Sequence, residues 1–266
     1  MPFASVRDIR MYFERGGNPD SGRRLLLVNG SGGDLRHKPG ILEGALAGDF
    51  DLLAFDQRGL GQTDKPEGPY TMADYAADAL ALLDHQGWDR CRVYGLSFGG
   101  MVAQELAVTA PERVERLVLG CTSPGGAGGA SYPLHELLDA PPEESAALHG
   151  RLLDTRGEAA GELMQQISKA MAARDTVGTD DPERDAGYRR QLEARRGHDT
   201  YGRLHRLDMP VLIAAGRYDG IAFPENQEAM HAAIPSSRLE WFDGGHVFPL
   251  QDPRANDVVR DFLLEA

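Results

Sequence analysis

The chain is predicted to be an α/β protein, with a mostly parallel central sheet, helices on both faces and one helical insertion. Three observations predict this. Short apolar runs alternate with helix-like segments along most of the 266 residues. Several of those runs are continuously apolar, as strands buried on both faces are. One stretch, residues 125–200, breaks the alternation and contains no convincing strand. The length suits one large domain or a domain with an insertion, and 41% apolar residues can build a sizeable core.

The elements follow in order. "IRMYFERGG" (9–17) reads as a strand ending in a turn, and "RLLLVNG" (24–30) and "DLLAFDQRGLG" (51–61) as buried strands with their loops. "TMADYAADALALLDHQG" (71–87) reads as a helix. Thr71 is its N-cap, Asp74 completes a short-armed capping box, and Gly87 stops it. "CRVYGLS" (91–97) is a strand, followed by a helix from Phe98 to Ala110 that Pro111 ends. "RLVLGCTS" (116–123), "VLIAAG" (211–216) and "RLEWFDGG" (238–245) complete the strands. "PENQEAMHAAI" and "DPRANDVVRDFLLEA" are helices opened by proline. Between two core strands, residues 125–200 are polar and helix-prone, and too long for a loop. They are expected to form a cap over a core made of residues 1–124 and 201–266, with "SPGGAGGAS" (123–131) as the flexible lead-in. Tyr132, Leu134, Leu137, Leu138, Leu163, Met164, Ile167 and Met171 either line a pocket there or form the cap's own core.

Composition narrows the partners. The net charge of −13 argues against a nucleic-acid partner, because phosphate binding wants a basic face. No apolar run reaches the roughly 18 residues of a membrane span, and the first residues lack the basic start and apolar block of a signal peptide. A cytoplasmic protein with no membrane partner is expected. Cys91 and Cys121 each lie in or beside an apolar run without a C-x-x-C pattern, which predicts buried thiols and no metal site.

The chemistry concentrates at strand ends. Gly95-Leu96-Ser97-Phe98-Gly99 is a G-x-S-x-G sequence after a strand and before a helix, the setting of a nucleophile elbow. A serine there needs a base. Of the eight histidines, seven fall in helices or polar loops and read as solvated surface or cap residues. His246 instead follows a strand and Gly244-Gly245, at the carboxyl end where α/β proteins place their sites. Asp219, in "GRYDG" just past another strand, is the candidate to orient it. Asp208 lies at the wrong end of the sheet, and Asp243 reads as a turn residue. An oxyanion needs two donors. The Phe98 N–H follows the serine, and the glycine-rich loop "VNGSGGD" (28–34) offers the Ser31 N–H. A dinucleotide loop there is disfavoured, since Leu35 stands where the third glycine of G-x-G-x-x-G belongs.

Four stretches resemble the α/β-hydrolase superfamily: "LLLVNGSGG", "FDQRGLGQTDKP", "GLSFGGMVAQELA", and "GRYDG" with "GGHVFPLQDP". The resemblance spans nearly the whole chain and is nearest to small bacterial esterases and lactonases with a helical lid, including enol-lactonase-like and cofactor-free perhydrolase-like members. It implies an α/β-hydrolase fold with a helical cap and a triad of Ser97, Asp219 and His246 in the family's chain order. Asn29-Gly30 departs from the family's usual His-Gly at the oxyanion loop. Ser97 stands where dehalogenase-like relatives carry an aspartate nucleophile, and Val247 where carbon–carbon bond hydrolases carry tryptophan. The implied activity is cofactor-free hydrolysis of a small-molecule carboxylic ester or lactone, falling on the acid side of neutrality as His246 protonates. Perhydrolysis, or ligand reception on the same fold, are the alternatives.

Overall fold

The structure, a computed structural model, describes residues 2–174 and 176–265. In chain order the main elements are β1 (Phe3–Val6), β2 (Ile9–Gly17), β3 (Arg24–Val28), β4 (Asp51–Phe55), α1 (Met72–His85), β5 (Cys91–Leu96), α2 (Phe98–Thr109) and β6 (Val114–Gly120). A helical segment follows with α3 (Pro142–Leu153), α4 (Gly161–Arg174) and α5 (Arg184–Arg196). The chain then returns through β7 (Val211–Gly216), α6 (Pro224–Ala233), β8 (Ser237–Phe242), α7 (Phe248–Gln251) and α8 (Arg254–Leu264).

The eight strands form one sheet in the order β1-β2-β4-β3-β5-β6-β7-β8. From β4 to β8 all pairs are parallel; β1 with β2 and β2 with β4 are antiparallel. This is the α/β-hydrolase fold. Strand β1 is absent from the sequence reading. It has only four residues at the sheet edge, too few for a clear alternation.

The pleat sorts the apolar runs onto two faces. Leu26 and Val28 of β3, Leu53 of β4, Val93 of β5 and Ile213 of β7 share a core with α1, α2 and α6. Their neighbours Leu25, Leu27, Leu52, Tyr94 and Leu212 pack on the other face with α8. Burial on both faces is the reason these strands carry continuous apolar runs. Helix α1 has the expected capping box: Thr71 Oγ1 accepts from the Asp74 N–H, and Asp74 accepts from the Thr71 N–H, both at 3.1 Å.

Between β6 and β7 the described residues form helices, 3-10 turns and loops, with one isolated bridge joining Gly125 to Asp199. The Thr200 N–H also donates to the Pro124 carbonyl at 2.9 Å, so the two ends of the helical segment lie side by side. Its apolar side chains pack among themselves. Leu134, Leu152, Leu153, Met164, Ile167 and Leu192 form a cluster of their own with Ile221, flanked by Tyr132, Leu137, Leu138 and Met171. Leu163 is turned to solvent. No helix among the described residues is long and apolar enough to cross a membrane.

Candidate active site

Ser97 joins β5 to α2 with φ 53° and ψ −116°, a conformation side chains other than hydrogen rarely adopt. The backbone around it is tied down. Its N–H donates to the Gly120 carbonyl at 2.8 Å, and its carbonyl accepts from the Gly100 N–H at 2.9 Å and the Thr122 hydroxyl at 2.7 Å. Two glycines make the turn sterically possible. A Cβ on Gly95 would lie 2.3 Å from the Gly99 carbonyl oxygen, and one on Gly99 would lie 2.1 Å from that of Val28. Strand β3 and the start of α2 thus touch backbone to backbone.

Three strand ends meet at this serine. His246, beyond β8, places Nε2 2.9 Å from Ser97 Oγ. Its Nδ1 lies 2.8 and 3.0 Å from the two carboxylate oxygens of Asp219, beyond β7. A carboxylate only accepts, so Nδ1 carries the proton and Nε2 presents its lone pair to the serine hydroxyl. Asp219 is buried, and its Oδ1 also accepts from the Ile221 and Ala222 N–H groups at 2.8 Å each. The structure therefore brings Ser97, Asp219 and His246 together. Asp243 lies apart from them: its N–H donates to Asp252 and its carboxylate pairs with Arg156.

The loop after β3 lies against Ser97, for a Cβ on Gly30 would come within 3.4 Å of the serine Cβ. The Asn29 carbonyl accepts from Gln57 Nε2 at 2.8 Å, and the Leu35 N–H donates to Asp56 Oδ1 at 2.7 Å. Gln57 and Asp56 belong to the "DQRG" turn, which braces this loop. Burial pushes the Asp56 carboxyl up to about 6, against the pull of the Gln62 and Leu35 N–H groups. Ser31 sits at the centre of the loop with its hydroxyl buried and unpartnered. Phe98 is the first residue of α2, so its N–H has no intrahelical acceptor.

The loops carrying Asp219 and His246 are laced to the end of α3. The Leu152 carbonyl accepts from the Gly220 N–H at 3.0 Å, and that of Leu153 from the His246 N–H at 2.7 Å. Gln251 accepts from the Gly245 N–H at 2.8 Å and donates to Asp154 at 2.7 Å. These braces were beyond sequence reasoning, because no local pattern marks them. One expectation is corrected: His198 is not solvated. It is 6% exposed, and burial pushes its imidazole down to about 4. Cys91 and Cys121 are buried thiols, Cys91 pushed up to about 12 by burial and Cys121 raised by the same cause. Among the described residues no group of three or more His, Cys, Asp or Glu side chains is arranged to hold a metal ion.

Comparison with known proteins agrees with this architecture. Residues 23–253 match the family model described as alpha/beta hydrolase fold. The chain is 29% identical to a poly(3-hydroxyalkanoate) depolymerase of Ectopseudomonas oleovorans over 234 residues, 84% of this chain and 78% of that one. It is 25% identical to 3-oxoadipate enol-lactonase 2 of Acinetobacter baylyi over 77% of this chain and 75% of that one. Among solved structures, the enol-lactonase from Burkholderia xenovorans LB400 superposes with a TM-score of 0.83 at 25% identity, covering 99% of this chain and 100% of that one. With the family model spanning most of the chain and the fold matching over its whole length, the protein belongs to the α/β-hydrolase fold family.

Proposed function

We propose that the protein is a carboxylic ester hydrolase that cleaves an ester or lactone through an acyl-enzyme on Ser97. The observation that carries this reading is the continuous hydrogen-bonded line from Ser97 Oγ through His246 to Asp219, drawn from three separate strand ends. His246 Nε2 takes the serine proton as Oγ attacks the carbonyl carbon. The Ser31 and Phe98 N–H groups hold the oxyanion. As the tetrahedral intermediate collapses, the carbon–oxygen bond to the alcohol breaks and His246 returns the proton to it. Water then attacks the acyl carbon, with His246 as base, and releases the acid and the free serine. Asp219 holds the imidazole in the required tautomer and stabilises its charged form. Residues 125–200 act as the cap over residues 1–124 and 201–266, and no cofactor enters any step. The depolymerase and lactonase named among the relatives are in keeping with ester or lactone substrates.

Two measurements test this. A fluorophosphonate should label the wild-type chain at Ser97 and leave Ser97→Ala unlabelled. Turnover of a short p-nitrophenyl ester should fall at least about 10³-fold in Ser97→Ala. Retention of near wild-type turnover by that variant would remove Ser97 from the mechanism.

A further inference from the structure

Helix α5 turns a polar stripe inward. Tyr188, Gln191, Arg195 and His198 recur at helical spacing, the last just past the helix end. Gln191 is 0% exposed and Arg195 6%. One end of the stripe touches the loop beside the candidate nucleophile: Gln191 Oε1 accepts from the Gly32 N–H at 2.9 Å, and the Tyr188 ring packs against Gly32. Arg195 stands one helical turn further on, about 6 Å along the axis.

The hydrogen bonding along this stripe is incomplete. Arg195 Nη1 donates to the Tyr132 carbonyl at 2.6 Å, but its Nε is buried without a partner. Gln191 Nε2, His198 Nδ1 and Ser31 Oγ are also buried and unpartnered. Among the described residues no carboxylate forms an ion pair with Arg195. Tyr188 and, less strongly, Asp219 are the acidic groups whose charges reach it, and Asp219 is already held by His246 and two backbone N–H groups. Burial lowers the guanidinium to about 10, which leaves it a cation at neutral pH. Burying a cation without a counter-ion is expensive, and a single carbonyl is a poor return for a residue built to grip two oxygens.

A cavity of about 100 Å³ lies beside this cation; Arg195, Arg196, His135 and His198 are the basic groups at its wall, with Met101 and Ser131 among the rest of the lining. Met101 is one turn of α2 beyond Ser97. We infer that Arg195 is the counter-ion for a carboxylate carried by the substrate, and that this cavity takes the anionic end of an ester or lactone whose carbonyl sits at Ser97. The inference rests on the hydrolase reading above. It adds a charge to the substrate class: the preferred ester is the half-ester of a short dicarboxylic acid, or a lactone bearing a carboxylate.

The test compares monomethyl glutarate with methyl valerate, which has the same acyl length and a methyl in place of the carboxylate. Acid release followed in a pH-stat should give the wild type at least a tenfold higher kcat/KM on monomethyl glutarate. Arg195→Gln should lose about 10- to 100-fold on that ester, chiefly through KM, and change less than about threefold on methyl valerate. Equal losses on both esters, or a wild type indifferent to the carboxylate, would overturn the inference. Arg195→Lys keeps the charge without the fork and should retain part of the preference; its indifference would count equally against the pairing. Activation of methyl valerate hydrolysis by added acetate would assign the carboxylate to a separate ligand and also overturn it. A second readout does not depend on turnover. Monomethyl glutarate should bind Ser97→Ala in a calorimeter and bind at least tenfold more weakly when Arg195→Gln is added. If fluorophosphonate fails to label Ser97, the hydrolase reading falls, while this calorimetric comparison still decides whether Arg195 holds a carboxylate.

Discussion

Ser97 is held at φ 53° because the strand must become a helix within one residue, and the glycines around it let backbones meet. The tightest of these approaches is at Gly99, where an added Cβ would meet the Val28 and Asn29 carbonyl oxygens at 2.1 and 2.5 Å. Both are backbone atoms of the strand and loop beside the nucleophile, and neither can turn aside as a side chain would. Gly99→Ala is therefore expected to destabilise the protein by at least about 2–3 kcal/mol. Gly150 is the contrasting case. It lies in α3 with nothing within 4 Å of an added Cβ, so Gly150→Ala should stabilise by about 0.5–1 kcal/mol. Denaturant unfolding of the two variants checks both signs, and a harmless Gly99→Ala would contradict the packing described at the elbow.

At the scale of elements, the end of α3 acts as a splint across the two loops that carry Asp219 and His246. Its residues 152–154 are bonded to the loop after β7 through Gly220 and to the loop after β8 through His246 and Gln251. Gln251 is one link that side chains supply, since it bridges the Gly245 N–H to the Asp154 carboxylate; Arg156, bonded to both Asp154 and Asp243, is another. Gln251→Leu keeps the size roughly and removes both bonds. The His246 loop then loses its register relative to Ser97, and a displacement of this kind can cost up to about 10²-fold in rate. Fluorophosphonate labelling of Gln251→Leu should accordingly slow by about tenfold or more, with KM for a neutral ester little altered. An unchanged labelling rate would show that the β8 loop holds His246 without this bridge.

Across the whole molecule, two buried titrating groups set opposing pH responses. His198 is pushed down to about 4 by burial, below its ordinary 6.5. The unfolded chain takes up a proton that the folded one refuses, so this group withdraws stability as pH falls from about 6.5 to 4, by up to about 3 kcal/mol. Asp56 is pushed up to about 6 from 3.8. The folded chain binds that proton first, so this group adds stability as pH falls through about 6 toward 4. Over that window the two act in opposite directions. His198→Asn removes one arm, and the variant should gain stability relative to wild type on going from pH 6.5 to 4.5. Urea unfolding at several pH values reads the difference, and a constant gap between the two proteins would mean that His198 is not held neutral.

Much of the fold was legible because its determinants are local. Continuous apolar runs mark strands covered on both faces, the Thr71–Asp74 box starts α1, and G-x-S-x-G marks a turn that few other residues could make. Asp219 and His246 were legible as residues just past strands, and the fold then brought them to Ser97. Helix α5 shows the opposite case. Its sequence, "RDAGYRRQLEARR", is so charged that it reads as a solvated helix, yet Gln191 and Arg195 are buried. Which face of a helix is buried depends on what packs against it, and here the partners are Gly32 and Tyr132, distant in the chain. The sequence by itself determined the alternation of strands and helices in the core from β2 onward and the residues offered at each strand end, since backbone propensity and turn chemistry act over a few neighbouring positions. Only the tertiary structure decided that Arg195 faces inward, buried without a carboxylate partner at the edge of a cavity, because burial and unpaired charge are properties of surfaces brought together from far along the chain.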